Sequence, residues 1–392
     1  MTHLMGSYAP ADVTFVRGEG TLLYDADGVR YLDFLSGIAV TSLGHADPHV
    51  AEAVERQVRR LLHVSNLFLN ELADPLAERL DRLIGDGEPA GGEVFFCNSG
   101  AEANECAIKL ARRHGGPGRH TVVSALGSFH GRTLATLHAT GQPAKHEAFQ
   151  PLPEGFAHVG YGDVGELANC LAERPTAGVL LEPIEGESGV VPAPAGYLEA
   201  ARRLCDEHGA LLLLDEVQTG LGRTGRWFAF QEAGVAPDVV TVAKSLGNGM
   251  PIGACWARAE VAASFRPGDH GSTFGGQPLA CSAATATLDR LVAIDAPRLA
   301  RSAGERLASG LRSLPGVRGV RGSGLLLGCL LETPLSSADV ASRALSSGLV
   351  VNAPVPGVIR LAPPLTVSHE EIDEALAILG AVLAEATKGA LT

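Results

Sequence analysis

Four consecutive leucines, Leu211-Leu212-Leu213-Leu214, lie between a helix-spaced segment, Tyr197 to His208, and an acidic break at Asp215-Glu216-Val217-Gln218. A run that is apolar at every position has no polar face to offer water, so as a strand it demands cover on both sides. Shorter runs of the same kind recur at Val94-Phe95-Phe96-Cys97, at 120–124, at 178–182 and at 239–243, and a helical pattern from Glu102 to Arg113 separates the first two. Strands alternating with helices in this way predict an α/β fold on a mainly parallel sheet. Ligands of such sheets bind at the carboxyl ends of the strands, which is where Asp215 stands.

The flanking sequence has a different texture. Residues 13–34 read as short strands turning at Asp25-Ala26-Asp27-Gly28, because Asp and Gly supply the positive φ angles of a tight turn. From Pro48 to Leu83 the spacing is helical, as in Val50, Ala53, Val54, Val58, Leu61 and Leu62. Beyond residue 290 come a helix from Pro297 to Leu314, a strand in Gly324-Leu325-Leu326-Leu327-Gly328, a helix after Ser368 and an alanine-rich tail expected to fray. At 392 residues the chain is long enough for two domains. The expected division is a large domain over 46–290, a smaller α+β domain over 291–392, and an N-terminal segment, 1–45, packing with the smaller one.

Charge and cysteines narrow the function. A net charge of −13 and a pI near 5.5 argue against a nucleic-acid surface, although local arginines can still make a pocket for small anions. The 7 cysteines are scattered without a C-x-x-C pair, which reads as a reducing compartment without a structural metal site. The segment Met1 to Tyr8 has no basic region followed by an apolar core, and no stretch of about 18 apolar residues exists to cross a bilayer, so a cytoplasmic location is expected.

Asp215 has a candidate partner. Lys244, in Ala243-Lys244-Ser245-Leu246-Gly247, follows 29 positions later (244 − 215), behind the next apolar run. Pyridoxal 5′-phosphate needs both groups: an acid beside the ring nitrogen to keep it protonated, and a lysine to hold the aldehyde and move protons. Either alone is an ordinary edge acid or a solvated charge.

Five further segments supply what such a cofactor and its substrates need. Asn98-Ser99-Gly100-Ala101-Glu102 follows a strand and opens a helix, so its hydroxyl and backbone N–H groups can cradle a phosphate at the positive end of the helix dipole; an ordinary N-cap is the alternative. In Ser128-Phe129-His130-Gly131-Arg132-Thr133 the aromatic can stack on a flat ring and the arginine can grip a carboxylate, although taken alone the pair reads as a core residue and a surface charge. Glu182-Pro183-Ile184-Glu185-Gly186-Glu187 crowds three carboxylates after a strand, so arginines are expected nearby, unless the loop is simply solvated. His270-Gly271-Ser272-Thr273-Phe274 offers two hydroxyls for a phosphate or is a flexible turn, and Arg360 sits inside the apolar run 358–364, where it needs a ligand carboxylate or Glu187 as a partner.

In order, these segments, with Gln218-Thr219-Gly220 and Gly222-Arg223-Thr224-Gly225, resemble the motifs of the class III, or ornithine-type, aminotransferases of PLP fold type I. The resemblance spans nearly the whole chain, from Gly37-Ile38-Ala39-Val40 to Ile359-Arg360-Leu361-Ala362-Pro363. It implies a seven-stranded type of sheet, pyridoxal 5′-phosphate as cofactor, no metal, and a homodimer that shares its active sites across the interface. Lys244 is then the Schiff-base lysine and Asp215 the partner of the ring nitrogen, with Val217 and Phe129 on the two ring faces and Gln218 at the phenolic oxygen. Ser99, Gly100 and Ala101 bind the phosphate from one subunit and Thr273 reaches it from the neighbour. Arg132, helped by the neighbour's Ser272, takes the α-carboxylate of an acylated diamino acid, Arg360 takes that of 2-oxoglutarate or glutamate, and Glu187 covers Arg360 when the other substrate is bound.

Within the family, ornithine-specific members carry a tyrosine near the position of Ile38, and here Ile38 and Leu69 are apolar, which suits an N-acylated substrate. The expected reaction is N2-acetyl-L-ornithine with 2-oxoglutarate, by a ping-pong route in arginine biosynthesis. The alternatives are succinylornithine, N-succinyl-diaminopimelate, a carrier-bound lysine or 4-aminobutyrate as amine donor. Two positions depart from the family pattern: Glu185, where Gln or Met is common, and Ala101, where Ser or Thr often stands. Glu185 either crowds the acidic-substrate site beside Glu187 or points to solvent.

Overall fold

In a computed structural model of the chain, residues 3–390 are described. Met1 and Thr2, which head the stretch read for a leader, and the last two residues of the alanine-rich tail lie outside them. The rest of that tail belongs to a helix, His369–Ala390.

Strands β1 (Phe15–Glu19), β2 (Leu22–Asp25) and β3 (Arg30–Asp33) form an antiparallel meander. Asp25 Oδ1 accepts the N–H groups of Asp27 (3.0 Å) and Val29 (2.8 Å), and Gly28 takes a φ of +80°, so the expected turn forms. The helical spacing from Pro48 to Leu83 resolves into two helices, Pro48–Arg60 and Ala73–Ile84. Between them side-chain amides compete with the helix ladder. Gln57 donates to the carbonyl of Leu61 at 2.7 Å, while Asn66 and Asn70 donate to the carbonyls of Gly275 (3.0 Å) and Gly276 (2.9 Å).

The central sheet has seven strands: β4 (Gly92–Cys97), β5 (Thr121–Ala125), β6 (Phe156–Val159), β7 (Thr176–Leu181) and, after a small hairpin of β8 (Ile184–Glu185) and β9 (Val191–Pro192), β10 (Leu211–Asp215), β11 (Val239–Val242) and β12 (Gly253–Arg258). Their order is β4-β12-β11-β10-β7-β5-β6, parallel except for β12, which runs antiparallel to both neighbours. The leucine run is β10, buried at every position. Leu212 and Leu214 pack in one cluster with Leu198, Ala201 and Cys205 of helix Tyr197–His208, whereas Leu211 and Leu213 pack in another with Ala107, Ile108 and Ala111 of helix Gly100–Gly115. Each such leucine stabilises the fold by roughly 1.5–3 kcal/mol. Gly178 on β7 lets Leu213 and Ala111 close over it, since any Cβ there would run into the Leu213 side chain.

Two strands carry no continuous apolar run and escape that reading. Edge strand β6 contains His158, and β12 is Gly-Ala-Cys-Trp-Ala-Arg, in which Trp256 is the one large apolar residue. After helices Pro278–Ala293 and Ala296–Arg312, β13 (Val317–Ser323), β14 (Leu326–Leu331) and β16 (Val358–Leu361) form a second, antiparallel sheet. The strand expected at 324–328 starts at Leu326, because Gly324, with a φ of +54°, makes the turn from β13. Strand β15 (Leu349–Val350) instead joins β3 in parallel. Fully buried Arg223 ties these parts together, donating to the Ser42 hydroxyl at 2.9 Å and to the carbonyls of Leu325 (3.2 Å) and Pro363. No helix among the described residues is long and apolar enough to cross a membrane.

Candidate active site

The carboxyl ends of β10 and β11 open into a cavity of about 360 Å³ that brings together Ser99, Gly100, Ala101, Phe129, Arg132, Glu187, Asp215, Val217, Gln218 and Lys244. A larger cleft, about 760 Å³, opens beside the β8–β9 hairpin and contains none of these residues. Chemistry, not size, identifies the site.

Asp215, the last residue of β10, is buried, and Oδ2 accepts hydrogen bonds from the Asn104 amide (2.7 Å) and His130 Nδ1 (2.8 Å) while Oδ1 accepts the N–H of Val217 (3.0 Å). The carboxylate can only accept, so the His130 proton lies on Nδ1; its buried Nε2 has no partner. Asn104 is fixed in turn by Thr241 Oγ1 (2.7 Å) and by the carbonyl of His130 (2.9 Å). Sequence reasoning missed both residues as site groups. The available signal was Asn104 lying one helical turn beyond Gly100, on the same face, and His130 lying inside the Phe129–Arg132 segment.

Lys244 follows β11 with a left-handed φ of +44°, a conformation an L-residue keeps only when its surroundings impose it. Its amine makes no hydrogen bond to any described residue. Desolvation draws the ammonium below the usual lysine range and Arg360 adds to this, while Glu187, Asp215 and Glu182 pull it back up.

Ser99 caps helix Gly100–Gly115, its Oγ accepting the N–H of Glu102 at 3.2 Å, which leaves the hydroxyl proton available to an anion. Val217 stands so close to Gly100 that a Cβ there would lie 2.8 Å from its Cγ1. Arg132 is exposed at the cavity mouth, 5.5 Å from the Phe129 ring centroid, with Lys145 at 5.4 Å from the same ring. No side chain of the described residues neutralises Arg132.

Arg360 is fully buried. It lies behind the cavity wall, bonded through Nη1 to Glu187 Oε1 (2.6 Å), the Gly186 carbonyl (3.2 Å) and Gln218 Oε1 (3.4 Å), and through Nε to Asn352 (3.1 Å); Nη2 has no partner. Burial alone would raise the Glu187 carboxyl, but the Arg360 charge and bond, with Lys244 and Lys145 beyond, hold it below the usual range.

The other two carboxylates of that loop did not find arginines. Burial, reinforced by the charge of Asp215, pushes Glu182 well above the carboxylate range, and its two oxygens accept the N–H groups of Phe129 (2.8 Å) and Gly186 (3.3 Å), so it braces the Phe129 and Glu187 segments together. Glu185 is also buried, neither beside the substrate cavity nor in solvent. Crowding is relieved by neutralisation instead of ion pairing.

Two expected wall residues are elsewhere. Ser36, Gly37, Ile38 and Ala39 all take left-handed φ angles, +52°, +61°, +69° and +60°, and this turn presents Val40 to the cavity in place of Ile38. Leu69 is fully exposed on the loop between the first two long helices. Ser272 and Thr273 do not line the chain's own cavity: Ser272 Oγ accepts the N–H of Gly275 (2.9 Å), and Thr273 is exposed.

The family model for aminotransferase class-III matches residues 6–383. The chain belongs to the class III aminotransferases. This class III aminotransferase is 48% identical to an acetylornithine aminotransferase of Corynebacterium efficiens, covering 97% of this chain and 95% of that one. It is 50% identical to an acetylornithine aminotransferase of Mycobacterium tuberculosis over 97% and 94% of the two chains. Among solved structures, an N-acetylornithine aminotransferase from Stenotrophomonas maltophilia matches with a TM-score of 0.83 at 35% identity, covering 96% of each chain. The ornithine aminotransferase from Toxoplasma gondii matches with 0.93 at 32% identity, covering 99% and 94%.

The cofactor of the family, and of this enzyme, is pyridoxal 5′-phosphate. The residues fit it: a buried acid bonded to no Lys or Arg for a cationic ring nitrogen, an unbonded lysine amine, Val217 packed close on Gly100 as an apolar surface for a flat ring, and a capped helix N-terminus for a phosphate.

Proposed function

We propose that this aminotransferase moves the terminal amino group of N2-acetyl-L-ornithine to 2-oxoglutarate, giving N-acetyl-L-glutamate 5-semialdehyde and L-glutamate by a ping-pong route in arginine biosynthesis. The observation that carries the reading is the pair of unlike arginines: Arg132 free at the mouth and Arg360 buried behind Glu187. An acetylated diamino acid brings one α-carboxylate, for Arg132, and an uncharged amide that apolar walls such as Val40 accept. Glutamate and 2-oxoglutarate bring a second carboxylate near the reacting carbon. Arg360 takes it once Glu187 swings away, and its partnerless Nη2 supports that role. The near-50% identity to acetylornithine aminotransferases supports the choice of donor.

Bound in the cavity, pyridoxal phosphate supplies an electron sink for the carbon that gains or loses the amino group. Asp215, held by His130 and Asn104, keeps the ring nitrogen protonated. Val217 and Phe129 hold the ring between them and Gln218 donates to the phenolic oxygen. Ser99, Gly100 and Ala101 take the phosphate. Lys244 Nζ, with its basicity lowered by burial, is the base that moves the proton.

The working unit in this reading is a cytoplasmic homodimer, divided in each subunit into residues 46–290, 291–392 and an N-terminal 1–45 segment that leans on the latter. Dimerisation is supported by Leu67, Phe68 and Phe274, 86%, 70% and 64% exposed beside Thr273, and it lets Ser272 and Thr273 serve the neighbouring site.

Arg132→Ala is expected to raise KM for acetylornithine about 10- to 100-fold, the effect of losing a charge-assisted bidentate contact, with a smaller change for 2-oxoglutarate. Steady-state kinetics in both substrates checks this, and an effect confined to 2-oxoglutarate reverses the two arginines. Glu187→Ala leaves Arg360 permanently unmasked, so the ratio of kcat/KM for glutamate to that for acetylornithine is expected to rise by roughly tenfold, about 1.4 kcal/mol. Half-reaction kinetics measures that ratio, and an unchanged value dismisses the gate.

A further inference from the structure

The loop that carries Glu187 hangs from the hairpin of β8 and β9, in which Glu185 pairs with Val191. Glu185 is 2% exposed. Its Oε2 accepts the hydroxyl of Ser188, on the loop itself, at 2.8 Å, while Oε1 is enclosed without any partner. The loop is otherwise held by Arg321 of β13, which donates to the carbonyls of Gly189 (2.9 Å) and Ser188 (3.4 Å), and by Arg360 and Glu182 at Gly186.

We propose that Glu185 is a proton-sensitive latch on the Glu187 loop and so sets which of the enzyme's two substrates the shared pocket favours. The proposal rests on the reading of Glu187 as a gate and adds what moves it. Glu185 acts through the loop and is a positioning residue.

The surroundings leave an ionised Glu185 without compensation. The groups facing it are Tyr161, Tyr197 from helix Tyr197–His208, and Glu182 after β7; burial raises all three, Tyr197 to about 12, and none brings a positive charge. Arg321 is committed to the loop carbonyls, and Glu187 to Arg360. Burial pushes Glu185 up to about 7, with the Ser188 bond pulling the other way. Below that pH the neutral acid fits its dry pocket. As pH rises through it, a carboxylate with one unhydrated oxygen is relieved when the loop lifts to admit water, and the lift carries Glu187 off Arg360. Alkaline conditions therefore favour the glutamate half-reaction.

The linkage has a definite sign. The folded group binds its proton more tightly than the ordinary carboxyl at 4.5, so it contributes a stability that is complete below about 4.5, declines as pH rises toward about 7 and is gone above it. Glu185→Gln, a neutral replacement of the same shape, removes that decline.

The test measures the glutamate to acetylornithine ratio of half-reaction rates from pH 6 to 9, together with Tm from about pH 4.5 to 9. In the wild type the ratio is expected to rise by about fivefold across neutrality, whereas in Glu185→Gln it stays at the low-pH value and Tm at pH 8 gains about 2 °C or more. Ser188→Ala is expected to flatten the ratio yet keep the wild-type pH dependence of Tm, because the charge stays and only its link to the loop is cut. A flat wild-type ratio, or a Glu185→Gln enzyme that keeps the wild-type profile, overturns the latch. A Glu187→Ala enzyme with an unaltered ratio instead overturns the gate on which the latch acts.

Discussion

Lys244→Ala is expected to lower turnover by about 10⁴-fold, the upper range for loss of a positioned proton-transfer group. Three observations make this residue the base. It lines the same cavity as Asp215, its amine is not engaged by any described residue, and burial lowers its basicity toward the range in which it can both take and return a proton. The left-handed φ of +44° adds to the argument, because a residue retained there at a steric cost has been placed for its side chain. Single-turnover kinetics gives the rate. The absorbance near the visible edge, present when lysine holds the cofactor covalently, is expected to vanish in the variant while noncovalent binding through Ser99 and Gly100 persists. An unchanged spectrum rejects Lys244 as the attachment point.

What the sequence alone makes legible follows from local periodicity. Leu211 to Leu214 announced a strand covered on both faces, and the end of such a strand located Asp215 at a ligand site. Arg360 was legible because an arginine inside an apolar run asks for a partner, and Lys244 because Asp215 precedes it; Arg132, alone a surface charge, took its role from the resemblance of the assembled motifs. The rest depended on partners far apart in the chain. Glu182, Glu185 and Glu187 look alike in sequence, yet only Glu187 faces a cation, and the difference is made by Arg360 arriving from β16. The hydrogen bonds of Asn104 and His130 to Asp215 span 111 and 85 positions, so no local pattern contains them. Val40 displaced Ile38 from the wall because four successive left-handed residues turn the backbone, and apolar spacing is blind to φ.

Asp215→Asn is expected to lower kcat for both half-reactions by about 10³-fold while leaving KM within a few-fold, since the charge it removes acts on the reacting state more than on binding. The substitution keeps the shape of the side chain, but an amide placed at the ring nitrogen does not hold a proton there as a carboxylate does. It also meets Asn104 and His130, both of which donate to Oδ2 in the native site. If the asparagine nitrogen takes that position, two donors face a third, and one buried bond is lost at a cost of about 1–3 kcal/mol; if the oxygen takes it, the network survives and the nitrogen faces Val217 N–H instead. The fold is tied down elsewhere, by β10 and its leucines, so unfolding is expected to be cooperative and only modestly shifted. Measuring Tm of the apo-protein alongside single-turnover rates therefore separates lost chemistry from lost structure. A rate within tenfold of the wild type would remove Asp215 from the ring nitrogen and leave it as the structural anchor of His130 and Asn104 alone.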